Sequence, residues 1–108
     1  MEIINFEDFV KVDLRIGKII EADKVEGSSK IIKTMVDLGE EKRQILAGIG
    51  EFYAPEELIN KIVAVVANLS SKKIMGMDSE GMILAVKDGD NLSLLGIEKE
   101  IKIGSKIS

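Results

Sequence analysis

Val12, Leu14 and Ile16 alternate with Lys11, Asp13 and Arg15, a period of two that predicts a first strand over Val12–Ala22. Gly17 interrupts the run, and a glycine there is expected to mark the bulge or sharp bend that lets a small barrel close. Glu26-Gly27-Ser28-Ser29 reads as a turn and Lys30–Leu38 as a second, less cleanly alternating strand. Gly39-Glu40-Glu41-Lys42 then makes a hairpin into a third strand, Arg43–Ile49. Ahead of the first strand, Asn5 is expected to cap a short helix through Val10, with Asp8 three positions on as its partner.

Pro55, followed by Glu56 and Glu57, starts a second short helix that gives out near Asn60-Lys61. Ile62–Ala67 is the most hydrophobic run of the chain, which predicts a central strand covered on both faces. Met82–Val86 is a further strand, Lys87–Asn91 a turn and Leu92–Leu95 the last strand. Six short strands with helices only as interludes predict an all-β fold. Three strands, a short helix, then more strands is the order of a five-stranded Greek-key barrel of the oligonucleotide-binding (OB) type. The whole of 1–108 forms one domain on this reading. Its tail, Gly96 to Ser108, carries Ile97, Ile101, Ile103 and Ile107, which a partner subunit would naturally bury.

Composition narrows the function more than the fold. Of the 108 residues, 45% are hydrophobic and 31% charged, as in a soluble globular protein, and no apolar run reaches the length of a membrane span. Acids at Glu2, Glu7 and Asp8 are unlike the start of a signal peptide, so a cytoplasmic protein is expected. Cysteine and histidine are both absent, which removes disulfides, thiolate catalysis, the commonest general base and the commonest metal ligands. No catalytic residue, metal or cofactor is expected. Abundant isoleucine, lysine and glutamate follow the trend of heat-adapted proteins. The net charge of −4 argues against an indiscriminate nucleic-acid binder but leaves room for a local basic patch.

One candidate patch stands out. Between Ile62–Ala67 and Met82–Val86 lies a polar connection with Lys72 and Lys73, Gly76 and Gly81, and Met75 and Met77. In an OB barrel the face of the second and third strands and its adjoining loops form the ligand groove. That places Lys72 and Lys73 on a loop beside Lys30, Lys33, Lys42 and Arg43 of the hairpin, enough for four or five phosphate contacts and a log–log salt slope of roughly −3 to −4. The aromatics, Phe6, Phe9, Phe52 and Tyr53, fall outside the expected face, so recognition of a folded RNA by shape fits better than base stacking. Asp88-Gly89-Asp90-Asn91 has the look of a calcium loop, but Ser93 and Lys99 occupy the positions that need glycine and glutamate.

Val12-Asp13-Leu14-Arg15-Ile16-Gly17-Lys18-Ile19, Tyr53-Ala54-Pro55-Glu56-Glu57-Leu58, Val66-Ala67-Asn68-Leu69 and Ser79-Glu80-Gly81-Met82 together carry a resemblance. The chain resembles the tRNA-binding domain found at the C-terminus of many methionyl-tRNA synthetases, which also occurs as free-standing tRNA-binding proteins and in cytokine-like synthetase cofactors. The resemblance implies an OB barrel, usually a homodimer, that grips tRNA by its shape without catalysis and can serve a methionyl-tRNA synthetase catalytic chain. It transfers the tRNA-contacting motif onto Asn68, Lys72, Lys73, Ser79 and Met82, and the dimer segments onto the N-terminal helix (about 5–10) and the tail (about 96–108). Three positions depart from the family pattern. Val25-Glu26 replaces a common His-Pro, Ala47 stands in a frequent Ser-Gly-Ile, and Met75 occupies a position that is often basic. A secretion-chaperone family shares this barrel and dimer and binds unfolded polypeptide, for which Met75, Met77 and Met82 would be suited.

Overall fold

The computed structural model describes all 108 residues. Strand β1 (Leu14–Lys24) is its longest element. Its first half, Leu14–Lys18, pairs antiparallel with β4 (Ile62–Val66), and its second half, from Lys18 onward, pairs with β2 (Ile32–Asp37). The hairpin of β2 and β3 (Lys42–Ala47) extends the sheet on one side and β7 (Met82–Ile83) extends it on the other. The resulting order β3-β2-β1-β4-β7 curls until its two edges meet, a nearly closed OB-like barrel. Closure comes from the Glu80 N–H, which donates to the Gln44 carbonyl at 2.8 Å, and from the Gln44 side-chain amide, which donates to the Asp78 carbonyl at 2.9 Å.

Burial alternates cleanly in β2, more so than its sequence suggests, whereas Val12, expected in the first strand, precedes β1 and is exposed. Ile32, Thr34 and Val36 of β2 are buried while Lys33, Met35 and Asp37 face outward. Val63 to Ala67 are all buried, as a strand covered on both faces requires. Thr34 is the polar exception in β2, and its hydroxyl donates to the Ile45 carbonyl at 2.7 Å. Helix α2 (Pro55–Leu58) plugs one end with the fully buried Leu58, and the Glu57 carboxylate accepts from the Ala54 N–H at its start.

Several local expectations are corrected. The bulge in β1 lies between Ile19 and Glu21, not at Gly17. Gly17 answers a different demand, because a Cβ there would stand 2.6 Å from Val36 Cγ1 where β2 crosses over it. Helix α1 is only Phe6–Phe9, and it is held by the Asn5 carbonyl; the Asn5 side chain makes no capping bond. The connection after Asn68 is no loop but a hairpin, β5 (Lys72–Ile74) with β6 (Met77–Ser79), turning through Met75 and Gly76, both at positive φ. Met82–Val86 is two strands, because the chain bends after β7 so that β8 (Ala85–Asp88) can pair with β9 (Asn91–Leu94).

The tail packs in part against its own chain. It runs back along the half of β1 that β2 leaves free. Ile16 N–H donates to the Ser105 carbonyl at 2.9 Å, Gly104 N–H to Ile16 at 2.8 Å and Ile107 N–H to Leu14 at 2.8 Å. Ile97, Ile103 and Ile107 are half-buried within the chain itself, and Ile101 stays exposed. The opposite holds at the N-terminus, where Ile3, Ile4 and Phe6 remain 85%, 60% and 74% exposed. No helix is long and apolar enough to cross a membrane.

Candidate nucleic-acid interface

Where the barrel edges meet they leave a groove of about 800 Å³. Leu46, Ala47 and Ile49 form one wall, Ile83 and Leu92 part of the other, and the β5–β6 hairpin overhangs the mouth through Lys72 and Ile74. The pairing of β5 with β6 decides which lysine serves it. Residues directly opposite in an antiparallel pair project to the same face. Lys72 lies opposite Ser79, which points inward, so Lys72 lies over the groove. Lys73 lies opposite Asp78 on the other face, and the two form an ion pair at 3.1 Å.

The structure therefore divides the residues picked out by the sequence. Lys72, Ser79 and Met82 come together at the groove, with Met82 exposed at its rim and Ser79 buried in its floor. The Ser79 Oγ accepts from the Leu46 N–H at 3.0 Å, which fastens β6 to β3 and leaves its hydroxyl little access to a ligand. Asn68 is occupied too. Its Oδ1 accepts from the Asp13 N–H at 2.8 Å and its Nδ2 donates to the Lys11 carbonyl at 2.6 Å, a clasp between the end of β4 and the entry to β1.

Arg43 is half-buried at the barrel seam. Its guanidinium donates to the carbonyls of Ala67 and Glu80 and pairs with Glu41 at 2.7 Å. Lys33 lies on the outer face of β2 opposite Asp23, in a shallow notch shared with Glu21, and Lys30 ends the turn before β2; neither lines the groove. Met75 sits exposed at the hairpin tip, and neither it nor Met77 lines the groove. No cluster of carboxylates could hold a metal ion.

At the entry to β1, Arg15 grips Asp13 through Nε at 3.0 Å and Nη2 at 3.0 Å. This hydrogen bond holds the Asp13 carboxyl below its ordinary value, against the opposing effect of partial burial. A lowered folded-state pKa stabilises the protein above the unfolded value of about 3.9, and that contribution is lost as pH falls through the folded value. Asp13→Asn should accordingly shrink the stability difference between neutral pH and pH of about 3, read from urea midpoints at the two conditions. An unchanged difference would show that the pair contributes nothing in solution.

Residues 14–106 match the family described as "Putative tRNA binding domain". The chain belongs to the tRNA-binding domain family. It is 55% identical over 105 residues to a methionine–tRNA ligase of Thermotoga maritima, an alignment that spans 97% of this chain but 17% of the ligase. Among solved structures, the MetRS related protein from Pyrococcus horikoshii matches with a TM-score of 0.94 and 33% identity, each chain covered in full. The chaperone CsaA of Bacillus anthracis matches with a TM-score of 0.89 and 35% identity, over 99% of this chain and all of that one. This tRNA-binding domain thus occurs both as a small part of a large ligase and as the whole length of smaller proteins.

Proposed function

We propose that the domain is a non-catalytic accessory of a methionyl-tRNA ligase that recognises tRNA by shape and backbone contacts. The observation that carries the reading is the family match over nearly the entire barrel, together with likeness to ligases of which the domain is only 17%. Its action is to raise the local concentration of tRNA near a catalytic site, through affinity that depends little on sequence. The absence of histidine and cysteine supports a role without catalysis. The exposed Ile3, Ile4 and Phe6 support association of two copies through the N-terminal segment, with the tail alongside. A cytoplasmic location follows from the same role.

The test is a salt-graded gel shift with tRNA beside the elution mass of the protein with and without it. The two adjacent lysines should behave differently. Lys72→Ala flattens the log–log salt slope by about 0.7 to 0.9, whereas Lys73→Ala, which removes a cation already paired to Asp78, changes it much less. Equal effects from the two variants would overturn the assignment of Lys72 to the groove. A monomeric mass would remove the dimer.

A second reading has one specific observation in its favour. The groove walls are mostly hydrophobic, and chaperone CsaA is among the similar structures. Binding of unfolded polypeptide would appear as suppression of aggregation that persists at high salt, where phosphate contacts fail.

A further inference from the structure

Beyond the residues that line the groove, the β8–β9 hairpin carries a second cation that no motif contains. In the β8–β9 hairpin Lys87 lies directly opposite Leu92, and Ala85 lies two residues before Lys87 on the same face of β8. Ala85 and Leu92 both line the groove, and Lys87 shares their face of the hairpin just beyond the lining residues, while Asp88 falls on the other face. The Lys87 ammonium lies 5.6 Å from the centroid of the half-buried Phe52 ring. Phe52 follows one turn after Ile49, which lines the groove, and its N–H donates to the Ile49 carbonyl at 3.0 Å. Neither Lys72 nor Lys87 takes part in any of the four ion pairs of the chain.

We infer that Lys87 and Phe52 form a second RNA contact, so that an unpaired stretch of tRNA lies along the groove between Lys87 and Lys72. The inference rests on the tRNA-binding reading above. Charge complementarity and groove chemistry select this occupant. Ammonium groups without carboxylate partners at both ends suit successive backbone phosphates, the apolar walls suit base faces, and Phe52 offers a ring on which a base can stack once Lys87 turns to a phosphate. An apolar peptide would gain nothing from the two cations.

The experiment measures binding of bulk tRNA and of a single-stranded RNA of about a dozen nucleotides, by fluorescence anisotropy across a salt series. Lys87→Gln keeps the apolar stem and removes the charge. It should weaken binding of both probes about five- to eightfold near 0.1 M salt and flatten the slope by about 0.7 to 0.9. Phe52→Leu, checked for an unchanged melting curve, should cost about tenfold with the slope preserved, since stacking releases no counterion. Lys99→Gln, the same charge change on the exposed tail, is the control and should leave the slope alone. If Lys87→Gln behaves like Lys99→Gln while Lys72→Gln weakens binding, the inference fails and the tRNA-binding reading stands. If the unaltered protein binds neither RNA, both fail. If Lys87→Gln weakens binding of an unfolded peptide as strongly as that of RNA, the proposed occupant is wrong.

Discussion

Replacing Arg43 by methionine lowers the thermal midpoint by roughly 10 °C and leaves the salt slope of RNA binding unchanged. From β3 its guanidinium reaches across the barrel seam to two backbone carbonyls on the opposite side, those of Ala67 after β4 and Glu80 before β7. Methionine fills similar space without donors. Both carbonyls then lose a charge-assisted bond, and Ala67 is only 3% exposed, so water replaces the donor poorly. A loss of about 2 kcal/mol follows, and a domain of this size converts each kcal/mol into several degrees. Arg43→Lys should recover little, because one ammonium cannot hold the planar, forked geometry. Differential scanning calorimetry with the binding titration decides the matter. A flattened slope at unchanged stability would mean that Arg43 meets phosphate and not the seam.

The second large effect is expected at Gly81, where alanine should cost about 2 to 3 kcal/mol. Gly81 has φ of +144°, a region that side chains disfavour strongly, and a Cβ there would lie 3.0 Å from the Val66 carbonyl oxygen and 3.2 Å from Ile45 Cδ1. Relieving that contact moves the segment between Ser79 and Met82, which closes the barrel and borders the groove, so RNA affinity should fall with stability. Gly48→Ala is the comparison. Gly48 lines the same groove but has open space around it and no positive φ, and its substitution should be close to neutral. Urea unfolding of both variants is sufficient, and similar midpoints would refute the account of Gly81.

These two residues also show how far the sequence could be read. The barrel was legible because its determinants are local: short apolar segments bounded by turns such as those at Gly39 and Gly89, and the unbroken apolar run ending at Ala67. The groove was legible in part. A polar residue in a motif looks the same whether it faces a ligand or fastens a distant backbone. Asn68 meets Asp13 across 55 positions, Ser79 meets Leu46 across 33 and Arg43 meets Ala67 across 24. None of these partners can be found by periodicity.

The separation of Lys72 from Lys73 depended on a hairpin whose turn puts Met75 at positive φ, an uncommon conformation for that residue type and so a weak signal. The tail meets β1 because β2 leaves one edge of the first half of that strand free, a matter of sheet register. Lys87 was hidden in what reads as the edge of a turn. Its signal was the pattern Ala85, Lys87 and Leu92, visible once those strands are aligned as a hairpin.

The tail that closes onto β1 has a consequence for architecture on a larger scale. Ile107 donates to Leu14, so the barrel is entered and left at one point on its surface. A polypeptide joined at either side of that point need not cross the groove or alter the strand order. The fold is therefore portable: appending it to a much larger enzyme or letting it stand alone leaves its interior and its mouth the same. That agrees with its appearance as 17% of a ligase and as the full length of a small protein.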